Sequence, residues 1–596
     1  MSLDKELQAL LPRVQKPARY LGNEWNVVIK DHAQAAVRAV LAFPDLYEVG
    51  MSNLGLQILY AAVNSRPEML LERAFAPAAD MEALLRERGL PLFALESKKP
   101  LRDFDLLGFS LQYELSYTNV LNMLDLAQIP LYANARDERY PLVAAGGPCA
   151  FNPEPLAPFI DIFLLGDGEE ALPELLAELI ALRSRGAGRR GTLLALAALP
   201  GFYIPQFYRP LYRGGSFQGI ERLESAAPPV VAKRTVPDLD GAVFPTAPIV
   251  PYLEVVHDRG VLELFRGCSR GCRFCQAGVI YRPVRRRSPE TLQKLACETL
   301  QATGYDEVSL ASLSSSDYPH IDALISDLSA AAGERVRFSL PSLRLDSFSV
   351  GLADRFHRGR RGSLTFAPEA GTERLRRVIN KNISREDIFA AIGAAVAAGW
   401  QAFKLYFMIG LPTETHDDIE GIARLCRELL DHLRRAYGKK PRLTVSASVF
   451  VPKPHTPFQW EPQLPLGEVE RRQRLLAQAL KPLRVVDFNW HEAGASFLEA
   501  VFARGDRRLA QVLELAQRRG CRFDGWSEFF SLERWLSVFR ELELDPADWA
   551  YRRYTHEEPL PWDHLAAGVP KAVLVREHRR ALAEEAAENR FEGGQS

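Results

Sequence analysis

The sequence has no long apolar run, little net charge and few cysteines. Its longest apolar stretches are broken by charged residues or glycine well short of about 18 residues, so no membrane-spanning segment is predicted. The opening residues include acidic side chains and no uninterrupted apolar core, and we expect no secretory signal peptide. A formal net charge of −1 gives no overall attraction to nucleic acid or acidic membranes. These absences favour a globular cytoplasmic protein.

The 7 cysteines are an odd number, and most of them are scattered. This usage argues against a disulfide scaffold and favours a reducing compartment. A chain of 596 residues is too long for one hydrophobic core, and several domains are expected.

Three thiols stand together in the stretch CSRGCRFC, at Cys268, Cys272 and Cys275. The apolar run before them predicts a strand that leads into a loop. Three thiolates on one loop can ligate three irons of a four-iron four-sulfur cluster and leave the fourth iron open. A zinc site that lacks its fourth ligand and three buried thiols are the alternatives, although no second pair of ligands follows at zinc-site spacing.

The C-x3-C-x2-C pattern, with Phe274 directly before its last cysteine, resembles the signature of the radical S-adenosylmethionine (SAM) superfamily. The resemblance implies that SAM chelates the open iron and that one electron cleaves it to methionine and a 5′-deoxyadenosyl radical. It also implies an electron donor such as flavodoxin or ferredoxin.

Residues 251–466 alternate between predicted strands and helices in six units, which the resemblance equates with the partial TIM-like barrel of a radical SAM core. Active sites of such folds lie on loops at the carboxyl ends of the strands. Together with Phe274, the residues on those loops that resemble SAM contacts of the superfamily are Ser312, Ser314, Arg344, Glu369 and Gly410.

Residues 35–225, after an arm formed by residues 1–34, show the same alternation and predict a parallel sheet covered by helices. Ligands of such sheets bind beyond the carboxyl ends of the strands. The loops there resemble those of the cobalamin-binding Rossmann-like domain, and the corresponding residues are Asp45, Tyr47, Gly50, Ser110, Gly146, Gly147 and Gly166.

Tyr47 stands where that family has the histidine that ligates cobalt. The resemblance therefore implies that cobalamin, if bound, has no histidine below its cobalt. Two alternatives stay open: the domain has the fold without the cofactor, or the glycines only form tight turns between strands and helices.

A proline-rich linker is predicted at residues 226–250 and a mainly helical region at residues 467–596. The segments RGCRFDGWSEFF and LPWDHLAAGVPKAVL of that region resemble a family of uncharacterised radical SAM proteins that carry a cobalamin-binding-like domain. This resemblance extends over nearly the whole chain and supplies an architecture without a substrate.

Basic residues near the predicted barrel mouth are candidates for substrate binding: Arg282, Arg285 and Lys381. A run of arginines such as YRPVRRRS is either a solvated face or a contact for a phosphate-bearing substrate or a nucleic acid. His455, in VPKPHTPF, is a lone histidine for which a structural role is expected.

The sequence thus predicts an α/β radical SAM enzyme that transfers a methyl group from cobalamin to an unactivated carbon. One alternative is a cobalamin-free radical modification of RNA, protein or a small molecule. Another is a non-catalytic iron–sulfur protein that serves in docking or redox sensing. The sequence identifies neither the substrate nor a catalytic side chain.

Overall fold

The computed structural model describes residues 3–333, 336–341, 345 and 363–592, with side chains as far as residue 584. Within these residues no helix is both long and apolar enough to cross a membrane.

The first domain is built on a six-stranded sheet with the order β2-β1-β3-β4-β5-β6. The first five strands in this order are parallel, and β6 runs antiparallel to β5. The bounds of the strands are β1 Val37–Phe43, β2 Met69–Phe75, β3 Leu106–Ser110, β4 Leu142–Gly146, β5 Ile162–Leu164 and β6 Phe202–Tyr203. The helices are α1 Leu3–Leu10, α2 Tyr47–Met51, α3 Leu54–Asn64, α4 Ala79–Arg88, α5 Tyr117–Leu126, α6 Ala171–Ser184 and α7 Arg189–Ala197.

Strand β2 was not predicted, because its sequence MLLERAF places two charged residues inside an apolar run. Both Glu72 and Arg73 are buried, and Arg73 forms ion pairs with Glu24 and Glu96. Ion pairing with partners distant in sequence makes a buried strand out of a segment whose local pattern is ambiguous.

The predicted linker is extended and lies against the rest of the chain. Its strand β9 (Val231–Ala232) pairs with β19 (Leu565–Ala566) near the carboxyl end of the chain, and it follows an antiparallel hairpin of β7 (Tyr208–Arg213) and β8 (Ser216–Arg222). The linker therefore connects the first domain to the carboxyl-terminal region as well as to the core.

The core contains two parallel sheets, with the orders β10-β13-β14 and β15-β16-β17-β18. A small antiparallel pair, β11 with β12, lies beside the first of them. The strands are β10 Gly260–Glu263, β11 Phe265–Arg266, β12 Arg285–Arg286, β13 Glu307–Ala311, β14 Arg337–Ser339, β15 Leu364–Glu369, β16 Ala402–Ile409, β17 Arg442–Val449 and β18 Val486–Trp490.

The predicted α/β class is confirmed, and one strand is present that was not predicted. All six expected strands are present, and β18 adds a seventh parallel strand beyond residue 466. Its sequence VDFNW is short and half-exposed. The strand was not predicted, because the surrounding region has a helical pattern. Among the described residues, β14 and β15 do not pair, so these strands do not form a closed barrel.

Four helices of the core begin at a serine or threonine whose side chain caps the helix. Ser384 with Asp387 and Thr415 with Asp418 form reciprocal capping boxes that satisfy the first backbone N–H groups of two helices. The helices are α8 Ala277–Ile280, α9 Pro289–Thr303, α10 Ile321–Ala332, α11 Glu373–Val378, α12 Arg385–Ala397 and α13 His416–Tyr437.

The carboxyl-terminal helices divide between the two sheet domains. The apolar side chains of α14 join the core of the second core sheet, whereas those of α15 to α18 share the hydrophobic core of the first domain. The last helix, α19, packs against α11. Their bounds are α14 Leu466–Leu480, α15 Ala493–Ala503, α16 Leu509–Arg518, α17 Leu532–Glu541, α18 Ala547–Ala550 and α19 Lys571–Glu592.

Candidate functional site

The cysteine loop begins directly after β11 with a turn that requires glycine. Gly267 has a φ of +91°, and a Cβ atom at this position would lie 2.7 Å from the carbonyl oxygens of Tyr281 and Pro283. L-residues with a side chain rarely adopt this conformation. The turn directs the chain into the loop that carries Cys268, Cys272 and Cys275.

Arg273 anchors the cysteine loop to two helices. Its buried guanidinium donates to the carbonyl oxygens of Arg377 (3.1 Å) and Val378 (2.8 Å) at the end of α11 and pairs with Glu577 of α19 at 3.3 Å. Asn380 adds a hydrogen bond from its Nδ2 to the Gly271 carbonyl oxygen at 2.9 Å. The loop is therefore held in one conformation by side chains distant in sequence.

The three thiols are half-buried and close enough to influence one another. Burial raises the pKa of Cys275 to about 11, and the neighbouring thiols of Cys272 and Cys268 and the carboxylate of Glu369 add to the shift. The backbone N–H of Gly278 donates to the Cys275 Sγ at 3.3 Å. This donor set, three adjacent thiols on one anchored loop, fits a four-iron four-sulfur cluster, whose irons each take a separate cysteine. In the described part of the chain, no three His, Cys, Asp or Glu side chains surround a site for a single ion.

Ser312 and Ser314 follow β13 and stand beside the cysteine loop. The hydroxyls of Ser312 and Ser315 are 3.0 Å apart, whereas the buried Ser314 hydroxyl donates to Asp317 at 2.7 Å. Asp317 in turn pairs with Arg270 of the cysteine loop. The Ser314 side chain therefore stabilises the loop, and Ser312 is the serine with surface to offer a ligand.

Glu369 and Lys381 form one ion pair near the cysteines, at 2.9 Å between the carboxylate Oε1 and the Nζ atom. Glu369 ends β15 with a φ of +70°, at a break in the strand register. A non-glycine residue in this region of φ stores backbone strain, which is concentrated at functional sites. Lys381, expected to meet the substrate, is 8% exposed and has Glu369 as its partner.

Gly410 and Phe274, two of the predicted SAM contacts, both lie in the core. Gly410 directly follows β16 with a φ of +87°, and its N–H donates to the Glu414 carboxylate at 2.8 Å. Burial raises the pKa of Glu414 to about 7. Phe274 packs on an apolar cluster that includes Met408 and Val378. Arg344, the remaining predicted SAM contact, lies outside the described residues.

One of the two arginines predicted as substrate contacts near the cysteines has a structural role. Arg285 is buried, where it pairs with Asp167 and donates to the Val236 carbonyl oxygen at 2.8 Å, so its prediction as a substrate contact is corrected. Pairing of β12 with β11 turns this side chain inward. Arg282 is half-buried and donates from Nε to the Cys268 carbonyl oxygen at 3.2 Å.

A cavity of about 450 Å³ opens between the first domain and the core. One side is formed by the carboxyl ends of β3 and β4 and by the loop after β5, which include Ser110, Gly146, Gly147 and Gly166. The other side is formed by the core, and includes Ser312 and also Gly267, which precedes the first cysteine of the loop. The volume is in the range of pockets that hold small molecules and cofactors. Four of the seven residues predicted to contact cobalamin thus line the cavity that reaches the cysteine loop.

The other three predicted residues lie outside this cavity. The Tyr47 hydroxyl donates to the buried Glu24 carboxylate at 2.8 Å, and its ring packs edge-on against Phe75. Gly50 also faces Phe75, where a Cβ would lie 2.3 Å from the ring. Asp45 accepts a hydrogen bond from Trp526 Nε1 at 3.0 Å beside a smaller neighbouring pocket. These three residues therefore do not line the large cavity, because Tyr47 and Gly50 contact side chains of the arm and of β2, and Asp45 contacts Trp526.

Two glycines of the cavity are required by the protein backbone itself. Gly147 has a φ of +107°, and a Cβ would lie 2.6 Å from the Leu111 carbonyl oxygen. Gly166 has a φ of +95°, and its Cβ would lie 2.0 Å from the Arg234 carbonyl oxygen of the linker. Gly146 differs, because its Cβ would make only ordinary contacts, the nearest at 3.6 Å. Positive φ angles and close backbone contacts thus explain two of the three predicted glycines that line the cavity.

A cluster of charges in the cavity wall was missed by sequence reasoning. Arg266 pairs with Asp167 at 2.9 Å, Glu169 at 2.7 Å and Glu263 at 2.9 Å. Burial works against the charge on Arg266, yet the three carboxylates raise its pKa above the ordinary value. The sequence shows the acidic segment GDGEE after β5 and an arginine two residues before Cys268. Their pairing could not be predicted, because the two segments belong to different domains.

His455 joins the core to the first domain. It is buried, and its Nε2 lies 2.9 Å from the Phe151 carbonyl oxygen. Burial lowers its pKa to about 4, so the unfolded chain binds a proton that the folded chain does not between pH 6.5 and 4. Stability contributed by neutral His455 is therefore complete above pH 6.5 and is lost as the pH falls towards 4.

We expect His455→Gln to reduce the acid sensitivity of the fold. Glutamine retains a donor for the Phe151 carbonyl and does not titrate. Between pH 7.5 and 5.5 the protonation of His455 in the unfolded chain lowers the free energy of unfolding by about 1 kcal/mol, and the variant avoids this loss. Urea unfolding of both proteins at the two pH values measures the difference. An equal loss of stability in both proteins would contradict the assignment.

Comparison with family models identifies the chain. Residues 262–426, which include the cysteine loop and Glu369, match the model of the radical SAM superfamily. The chain carries a radical SAM domain. Residues 55–205 match the model of the N-terminal region of radical SAM proteins, which confirms the predicted resemblance. Radical SAM proteins use a four-iron four-sulfur cluster and SAM.

Relatives extend over most of the chain. The uncharacterised protein MJ0966 of Methanocaldococcus jannaschii is 26% identical over 506 residues, which cover 84% of this chain and 96% of the relative. Among solved structures, the methyltransferase TsrM of Kitasatospora setae with cobalamin and a [4Fe-4S] cluster bound is 15% identical, covers 69% of this chain and 72% of its own, and has a TM-score of 0.45. The cobalamin-dependent radical enzyme OxsB is 13% identical, with 94% and 80% covered and a TM-score of 0.47.

Proposed function

We propose that this radical SAM protein cleaves SAM reductively and transfers a methyl group to an unactivated carbon, with cobalamin held between its first two domains. One observation carries the proposal: a single cavity runs from the strand ends of the first domain to the residue before Cys268. A ligand in this cavity would be in reach of the cluster loop. We also propose that the redox partner is a small electron-transfer protein such as flavodoxin or ferredoxin.

Cys268, Cys272 and Cys275 would hold the cluster, which when bound supplies the electron and the open iron for SAM. The residues that would hold SAM are Ser312, Glu369 and Gly410, each at or close to the carboxyl end of a strand. A carboxylate such as Glu369 can accept hydrogen bonds from an amino or hydroxyl group of a ligand. Its bond to Lys381 fixes that carboxylate in place before a ligand arrives.

The cavity wall offers an apolar surface with polar and charged groups beside it. Leucine, isoleucine, phenylalanine and alanine side chains form the apolar part of the lining, and Ser110 and Gln112 add polar groups on one side. Gln112 Nε2 donates to the Ser110 hydroxyl at 2.8 Å, which orients both side chains. Cobalamin, when bound, supplies the methyl group. The protein's part is to exclude water from the space between that ligand and SAM.

Ala144→Phe is expected to prevent cobalamin binding and to leave the cluster intact. Ala144 lies in β4 and lines the cavity, so a phenylalanine ring there occupies ligand space far from the cysteines. Cobalt per chain should fall at least tenfold after anaerobic loading with cobalamin, while iron and sulfide stay unchanged. Ala198→Phe is the matched control, because Ala198 is exposed on the same domain.

Products after SAM and a reductant are added separate the alternatives. Bound cobalt together with 5′-deoxyadenosine and S-adenosylhomocysteine supports methyl transfer. Deoxyadenosine from a wild-type protein without cobalt would replace the proposal with a cobalamin-free radical reaction. A reconstituted cluster that never cleaves SAM would indicate a docking or sensor protein.

A further inference from the structure

A basic cleft of about 940 Å³ lies at the end of the second core sheet that is remote from the cysteines. Its wall is formed where β16, β17 and β18 begin, together with the segments before them. The charged residues of the wall are Lys439, Lys440, Arg442, Arg484 and Asp487.

The four cations of the cleft are exposed and make no ion pair with any carboxylate that the structure describes. Only Asp487 contributes a negative charge to the wall. Arg434, Arg435 and Lys481, exposed on the adjoining ends of α13 and α14, extend the positive surface. Because the whole chain has a net charge of −1, this concentration is local.

Position separates the cleft from the proposed active site. The eight residues of β16 run from Ala402 at the cleft to Ile409 next to Gly410, which at about 3.3 Å per residue is roughly 25 Å. An electron donor must approach the cluster closely, because electron transfer slows steeply with distance. The cleft is therefore too far from the cysteines to serve an electron donor, and it suits a partner that binds there without taking part in the reaction.

Composition favours a nucleic acid over an acidic protein as that partner. Lysine is depleted in the interfaces between proteins, whereas surfaces that bind nucleic acid are polar and strongly positive. Lysine and arginine side chains that project into a concave wall can neutralise successive phosphates of one strand.

We propose that this cleft binds the sugar–phosphate backbone of a nucleic acid. The inference does not rest on the proposed methyl transfer, since no residue of the cleft lines the cavity or carries the cysteines. Four phosphate contacts to a single strand give a log–log salt slope of about −3, or about a 50-fold loss of affinity between 50 and 200 mM salt.

Fluorescence anisotropy of the full-length protein tests the proposal, with a labelled 20-nucleotide single-stranded RNA and a 20-base-pair DNA duplex as probes. In the variant K439A/K440A/R442A/R484A, affinity at 100 mM salt should fall at least tenfold and most of the salt slope should disappear. The tighter of the two probes identifies the kind of strand that is bound.

Two further variants keep the test decisive. R66A/R185A/R213A/R540A removes the same charge from exposed positions outside the second core sheet and should bind as the wild type does. K439R/K440R/R442K/R484K retains the charge in the cleft and should also bind. Absence of binding to both probes at 50 mM salt, or equal loss in the control with the four distant arginines, would overturn the proposal.

Discussion

Cys272→Ala is expected to abolish iron incorporation and SAM cleavage together. In the proposed site each cysteine of the loop would ligate a separate iron, so loss of one would leave a second iron without a protein ligand. Iron should fall from about four atoms per chain to near zero after anaerobic reconstitution. The readouts are iron and sulfide per chain, the absorbance of the cluster, and 5′-deoxyadenosine formed with a strong reductant.

Cys297→Ala provides the matched control for this experiment. Cys297 lies in α9, is also half-buried, and is not part of the cysteine loop. Its replacement should change neither iron content nor deoxyadenosine yield. A Cys272→Ala protein that retained a cluster and cleaved SAM would show that the loop is not the ligand set. Circular dichroism of both variants distinguishes loss of the cluster from loss of the fold.

Arg73→Met is expected to destabilise the first domain by about 3–5 kcal/mol. The Arg73 side chain is fully buried in β2, where it bridges Glu24 of the arm at 2.8 Å and Glu96 at 2.7 Å. Burial alone would raise the pKa of Glu24, but the Arg73 guanidinium holds that pKa below its ordinary value. Removal of the cation leaves two buried carboxylates without a partner, which costs far more than the lost contact.

Loss of Arg73 should also weaken the contact of Tyr47, because the Tyr47 hydroxyl donates to the same Glu24 carboxylate. Urea unfolding monitored by circular dichroism measures the shift of the first transition. Arg13→Met is the control, because Arg13 forms an exposed ion pair with Glu87, worth at most about 1 kcal/mol. Equal midpoints for the two variants would mean that the buried cluster does not hold the arm to the sheet.

Local spacing was sufficient for the parts of the site that lie on one short stretch of chain. The three cysteines and Phe274 stand within eight residues, and their order along the chain carries the chemistry. Ser110 and Gly146 were also found, since each directly ends a strand of strong apolar character and the carboxyl ends of parallel strands meet at one edge.

Long-range pairing decided what the local pattern misassigned. Arg285 reads as part of a solvated arginine run, yet Asp167, more than 100 residues earlier, neutralises it in the interior. Tyr47 occupies the position of a cofactor ligand in the motif, but Glu24 of the arm takes its hydroxyl. In both cases, an oppositely charged or hydrogen-bonding partner distant in sequence determines where the side chain lies.

The sequence by itself determined the cysteine loop, the two alternating α/β regions and most of their strands, because apolar periodicity and short spacings are local properties. Only the tertiary structure decided that α15 to α18 complete the core of the first domain, that β18 joins the second core sheet, and that the cavity and the basic cleft exist. These features arise where segments hundreds of residues apart bury apolar surface or converge as charges, and no local pattern specifies that partnership.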